Sequence, residues 1–152
     1  MKRLSNLLAA LVFASLVIFM SCGGGGDDPA PDPLEEIAAD LTISGWAQPS
    51  TVQTDGGVAD GDWSGFTITF SGTKDGGTYT VAGVPDGFSD VWANGTWDFG
   101  NSSGSVINKT QNGVTTPMTA SISENSLSLE FDVTESTART NGITGEWTFV
   151  FN

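Results

Sequence analysis

The strongest constraint on how this chain folds is a two-residue alternation of apolar and polar side chains that recurs from residue 66 to the last residues. Phe66, Ile68 and Phe70 alternate with Thr67 and Thr69, Tyr79 and Val81 alternate with Thr78 and Thr80, and Trp97 and Phe99 flank Asp98. Met118, Ala120 and Ile122 carry the pattern on, followed by Leu127, Leu129, Phe131 and Val133, then Trp147, Phe149 and Phe151. Successive side chains of a strand point to opposite faces, so the pattern predicts antiparallel strands with one face in a core and one in water. Weaker runs at 45–53 and 105–110 bring the expected number to about eight. Gly72-Thr73-Lys74-Asp75-Gly76-Gly77, Gly100-Asn101-Ser102-Ser103-Gly104, Gln111-Asn112-Gly113 and Glu124-Asn125 are turn signals between neighbours. Such short links favour an up-and-down meander, because parallel strands need long crossovers. One longer connection, Ala82 to Asn94, is rich in Gly, Pro and Asp yet carries Phe88, Val91 and Trp92. The expected fold is all-β: an antiparallel up-and-down barrel of about eight strands, with a two-sheet sandwich as the alternative closure.

Upstream of the strands the signals change. Pro33 to Leu41 puts proline and acids in a first turn and apolar residues at 34, 37, 38 and 41, which predicts one short amphipathic helix. Before it, Gly23 to Gly26 and then Asp27-Asp28-Pro29-Ala30-Pro31-Asp32-Pro33 form a flexible, hydrated tether of about ten residues. The N-terminus has Lys2 and Arg3, an apolar run from Leu4 to Met20, and Ser21-Cys22-Gly23 at its exit. A positive start, an apolar run and a small exit residue make residues 1–21 a signal peptide. Phe19-Met20-Ser21-Cys22 resembles the lipobox of bacterial lipoproteins, with Phe19 where leucine is usual and Met20 where a small residue is. The resemblance implies cleavage before Cys22 and membrane anchoring through lipid on its sulfur, which two or more acyl chains make firm. The glycines and acids after the cysteine resemble surface-exposed lipoproteins of Bacteroidota-type bacteria, implying an outer-membrane location with display at the cell surface. The chain thus divides into 1–21, a lipidated tether at 22–33, and one β domain at 34–152.

Composition narrows the chemistry. Of five basic residues only Lys74, Lys109 and Arg139 lie beyond residue 21, against eighteen acids. That balance argues against nucleic acid, whose phosphates require basic partners. There is no histidine, which removes Ser-His-Asp and Cys-His catalysis and histidine metal ligands together. Once Cys22 is lipidated, no thiol is left for a disulfide. Asp55, Asp60 and Asp62 share a Gly-rich loop without the spacing of a calcium-binding EF-hand, and they read as solvated turn acids, as do Asp86 and Asp90. No Gly-x-Ser-x-Gly elbow is present. The chain is therefore read as a non-enzymatic protein without cofactor or metal; paired carboxylates in a cleft would be the mark of a hydrolase.

A short helix, then Gly45-Trp46 entering the first strand, then successive hairpins, resembles the lipocalin-like domains of small bacterial lipoproteins over residues 34–152. In that family the tryptophan packs across a closed barrel end beneath a basic residue near the last strand, so the resemblance implies these places for Trp46 and Arg139. An open barrel would offer an apolar ligand pocket, and the inward Phe70, Tyr79, Trp97 and Phe131, with Phe88 and Trp92 from the long connection, are the candidate ligand-binding residues. Two readings stay open: a module that holds a small apolar or amphipathic ligand inside the barrel, or a surface interaction module for a glycan or a protein partner in the cell envelope. Two or three exposed, coplanar tryptophans, with Trp63 and Trp92 the ones to check, would mark the second, whereas rings closing the barrel would move function to the surface. Replacing Cys22 with Ser is expected to move the protein from the membrane to the soluble fraction on ultracentrifugation; a variant that still sediments with membranes removes the lipid anchor.

Overall fold

A computed structural model describes residues 30, 32–43, 45–134 and 143–152. The expected signal peptide, the lipidation site Cys22, most of the tether and Arg139 lie outside the described residues.

Helix α1 (Pro33–Thr42) begins where its capping residues stand. The Asp32 carboxylate accepts the Leu34 N–H at 3.0 Å, Pro33 occupies the first turn, where no intrahelical N–H partner is needed, and Glu35 and Glu36 face the positive end of the helix dipole. Asp32 also takes the Lys74 ammonium at 2.7 Å, which ties the helix start to a distant hairpin and holds the Asp32 carboxyl below its ordinary range. Ala38 and Leu41 form the buried stripe.

The strands are β1 (Trp46–Ala47), β2 (Thr51–Thr54), β3 (Gly57–Val58), β4 (Thr67–Thr73), β5 (Gly76–Ala82), β6 (Gly95–Phe99), β7 (Val106–Gln111), β8 (Val114–Ser123), β9 (Ser126–Val133) and β10 (Gly145–Phe151). All pair antiparallel in one curled, half-barrel sheet with the order β1-β4-β5-β6-β7-β8-β9-β10-β2-β3. A two-sheet sandwich is therefore not the fold. The meander from β4 to β10 follows the expected alternation, with most Thr, Ser and acids outward and Thr116 of β8 buried.

The strand count is ten, not the expected eight, and the difference lies wholly in residues 45–58. The single expected strand there is cut at Gln48, whose φ is 53°, and at Pro49, which has no N–H to donate. Its first piece, β1, pairs with β4 and its second, β2, pairs with β10. A tight turn at Asp55-Gly56, both with positive φ, then folds β3 back onto β2. The link Gln48-Pro49-Ser50 keeps contact with both flanks, since the Gln48 N–H donates to the Phe66 carbonyl at 2.9 Å and the Ser50 N–H to that of Val150 at 2.7 Å. One continuous segment thus ties the two sides of the curled sheet.

Both ends are covered. At one, Leu34 and Ile37 of α1 lie over Gly104 in the β6–β7 turn, and the Trp46 indole beneath the helix donates to the Leu41 carbonyl at 3.0 Å. At the other, the β5–β6 connection turns inward. Within the sheet, the Trp97 indole reaches across β5 and donates to the Ser71 carbonyl at 3.2 Å. Gly77 stands between them, paired with Gly72 on one side and Trp97 on the other, and a Cβ there would collide with the Ser71 carbonyl oxygen. Gly77→Ala should therefore lower the urea-unfolding free energy by about 2 kcal/mol or more, the range for overpacking against backbone. Gly113→Ala, in an open turn with φ 77°, should lose only about 1 kcal/mol for its left-handed backbone. Equal losses at the two positions would refute the close approach.

Candidate functional site

The site is the inward connection between β5 and β6. Gly83 leaves β5 with φ 66°, a conformation suited to glycine, and a Cβ there would strike the Gly65 carbonyl. Pro85 then starts a compact turn in which its carbonyl accepts the Phe88 N–H, and the Phe88 carbonyl accepts the N–H groups of Val91 and Trp92 at 2.9 and 3.2 Å. That winding carries Asp90, Val91 and Trp92 into the sheet's interior, where each is at most 2% exposed.

Inside, the Trp92 ring meets Phe66, Tyr79, Phe131 and Phe149 at centroid distances of 5.2–5.9 Å. The ammonium of Lys109, itself fully buried on β7, lies 4.1 Å from the Trp92 ring and 3.8 Å from that of Phe131. It also donates to the Val91 carbonyl. Gln111, one inward position further along β7, donates its amide to the Asp90 carbonyl at 2.9 Å. Its amide oxygen accepts both the Ala93 N–H at 3.0 Å and the Tyr79 hydroxyl at 3.1 Å. Barrel side chains thus grip the backbone of the connection at residues 90, 91 and 93.

All six candidate ligand-binding residues are brought into this aromatic cluster. Trp97 touches Phe70, Phe70 touches Tyr79, Tyr79 touches Trp92 and Trp92 touches Phe131, while Phe88 joins through Trp63 and Trp147. They meet one another rather than surrounding a space, because Trp92 occupies the centre. Trp63 is also inside, only 5% exposed, with its indole N–H on the Asp60 carbonyl and its ring against Phe66, Phe88, Trp147 and Phe149. Neither of the two tryptophans whose exposure would mark a surface interaction module faces solvent. Trp46 fills the end beneath α1 and lies 6.5 Å from Phe151.

Sequence reasoning missed Lys109, Gln111 and the inward turn of Asp90. The signal was present for the first two: Lys109 and Gln111 share the parity of Ile107 in β7, so alternation places them on the core face. A lysine at a core position demands partners.

The acidic loops perform local work. Asp62 accepts the N–H and hydroxyl of Ser64, and those bonds keep its carboxyl below the ordinary range. Asp55 accepts the Glu146 N–H at 3.0 Å. Among the described residues no group of three or more His, Cys, Asp or Glu side chains could hold a metal ion, and no helix is long and apolar enough to cross a membrane. Several hollows open on the surface of the described residues. One of about 520 Å³ lies between α1 and the β4–β5 hairpin, with Ala38, Ala39 and Thr42 facing Gly72 and Thr73. Two smaller ones flank Pro117, where the β8–β9 ladder stops at the pair Met118–Phe131.

No family model matches the chain, and no curated protein or solved structure matches it either.

Tyr79 is the chain's one tyrosine, so its titration is read without interference. Burial pushes its phenol well above the ordinary value of 10. The folded state favours the neutral phenol, so the stability this contributes is intact below pH 10 and is lost as pH rises toward the higher folded value. Phenolate absorbance is expected to appear together with the loss of native tryptophan fluorescence. A smooth phenolate titration centred near 10 in a still-folded protein would contradict the buried Tyr79–Gln111 contact.

Proposed function

We propose that this chain is a lipid-anchored, non-enzymatic interaction module of the bacterial cell envelope, held at the outer membrane through Cys22 and engaging a protein partner through its surface. The domain is read as a lipocalin-like barrel in which β1 and β2 are two halves of one strand, so that eight strand positions close through Gln48-Pro49-Ser50. The observation that carries the reading is the filled interior. Trp92 sits among Phe66, Tyr79, Phe131 and Phe149, where an interior ligand would have to lie. With Trp63 and Trp92 both buried, the outer surface offers a glycan none of the stacking rings expected at those positions. A protein partner is the occupant that a hydroxyl-rich, acidic surface without that platform suits best. The tether joins at α1, so the end carrying the β5–β6 connection is the end farther from the attachment point.

Native mass spectrometry of the protein purified from its own envelope should give the mass of the lipidated chain with no small molecule bound. A photo-crosslinker at the exposed Asp86 should give one dominant protein adduct in cells, and the same crosslinker at Glu36 on α1 should not. A co-purifying amphiphile would overturn the surface reading in favour of an interior ligand, and equal adducts from both positions would remove the assignment of the far end.

A further inference from the structure

We propose that the 84–93 connection is an exchangeable occupant, and that the interior site it fills also accepts a peptide segment of the protein partner bearing a tryptophan or another flat aromatic side chain. This rests on the surface-partner reading and names what the partner presents.

The barrel grips this connection as a protein reads a peptide. Three of its polar contacts go to main-chain atoms: the carbonyls of Asp90 and Val91 and the N–H of Ala93, from Gln111 and Lys109. Main-chain recognition does not depend on which residues the segment carries, so these handles suit another peptide equally. Selectivity comes from the ring cage with a cation on its wall, which takes a flat aromatic and favours indole.

A second observation marks the plugged state as one occupancy among others. Two buried side-chain donors among the described residues have no hydrogen-bond partner, the indole N–H groups of Trp92 and Trp147. Buried polar groups in native interiors are nearly always paired. Both orphans lie on the contact between connection and barrel: Trp92 is the inserted residue, and the Trp147 ring packs 5.8 Å from Phe88. Withdrawal of the connection returns the Trp92 N–H to water, and an incoming segment with a carbonyl near Trp147 pairs the other. Gly83 and Gly87, both with positive φ, lie on the chain leading into Trp92, and Gly87 has open space where a side chain would stand.

The test uses the full-length chain in detergent and a labelled peptide copying its own residues Pro85 to Ala93. Trp92→Gly vacates the cage. Anisotropy should show saturable peptide binding to this variant, at least tenfold tighter than to the parent chain. Binding should vanish when Lys109→Met is added and when the peptide's tryptophan is replaced by alanine. A folded Trp92→Gly variant that ignores the peptide overturns the proposal, as does one that binds dodecanoate but not the peptide. If Trp92→Gly does not fold, hydrogen exchange on the parent chain decides. Amides of 84–93 should exchange at least tenfold faster than those of β5 and β7, and exchange only with global unfolding overturns the proposal. A dominant crosslink at Asp86 together with peptide failure would leave the surface-partner reading standing without the exchange.

Discussion

The Lys109 ammonium, set between the rings of Trp92 and Phe131 and bonded to the Val91 carbonyl, is the contact on which the rest of the interior depends. A buried cation is costly unless polar groups and ring faces replace its water. Here the β5–β6 connection brings part of that replacement. The same contact draws Trp92 to the centre of the curled sheet, where four further rings close around it. Gln111, one inward step along β7, locks the segment on either side by taking the Asp90 carbonyl and the Ala93 N–H. A connection that would otherwise cross the mouth of the sheet becomes part of its core.

Filling the interior in this way turns an aromatic lining into a core. An open curled sheet with an aromatic lining would be a receptacle for apolar guests. With Trp92 in place the interior is filled by side chains, and on the outer face the registers set Ser71, Thr78, Thr96, Thr110 and Thr115 opposite one another across β4 to β8. Threonine suits exposed strand positions because its branched side chain packs well on a pleated surface. The edges are similarly unobtrusive. β1 and β3 are two residues each, and the link at Pro49 uses the chain itself to span the gap.

Much of this was legible in the residues. The strands from β4 to β10 follow alternation because one face of each is buried, and α1 follows from Pro33, the acids of the first turn and the spacing of Leu34, Ile37, Ala38 and Leu41. The Ala82–Asn94 connection stood out by length and by its aromatic residues, and all six candidate ligand residues do share one cluster. The divided first strand was not legible, because period two says which face a residue occupies and not which neighbour its backbone pairs with. Lys109 was legible in principle, as a charge at a core parity, but the Val91 carbonyl it binds lies eighteen residues earlier in the chain.

The sequence by itself determined the all-β class, the helix, the hairpin turns and the exclusion of histidine chemistry, because each depends on local periodicity, on glycine and proline at set places, or on composition. Whether the aromatics of the long connection line a space or fill it was decided only by the tertiary structure. Six rings at inward positions describe a cavity and a solid core equally well. What separates the two is where the backbone of 84–93 runs, and that is set by non-local contacts with Lys109 on β7, Tyr79 on β5 and Phe131 on β9.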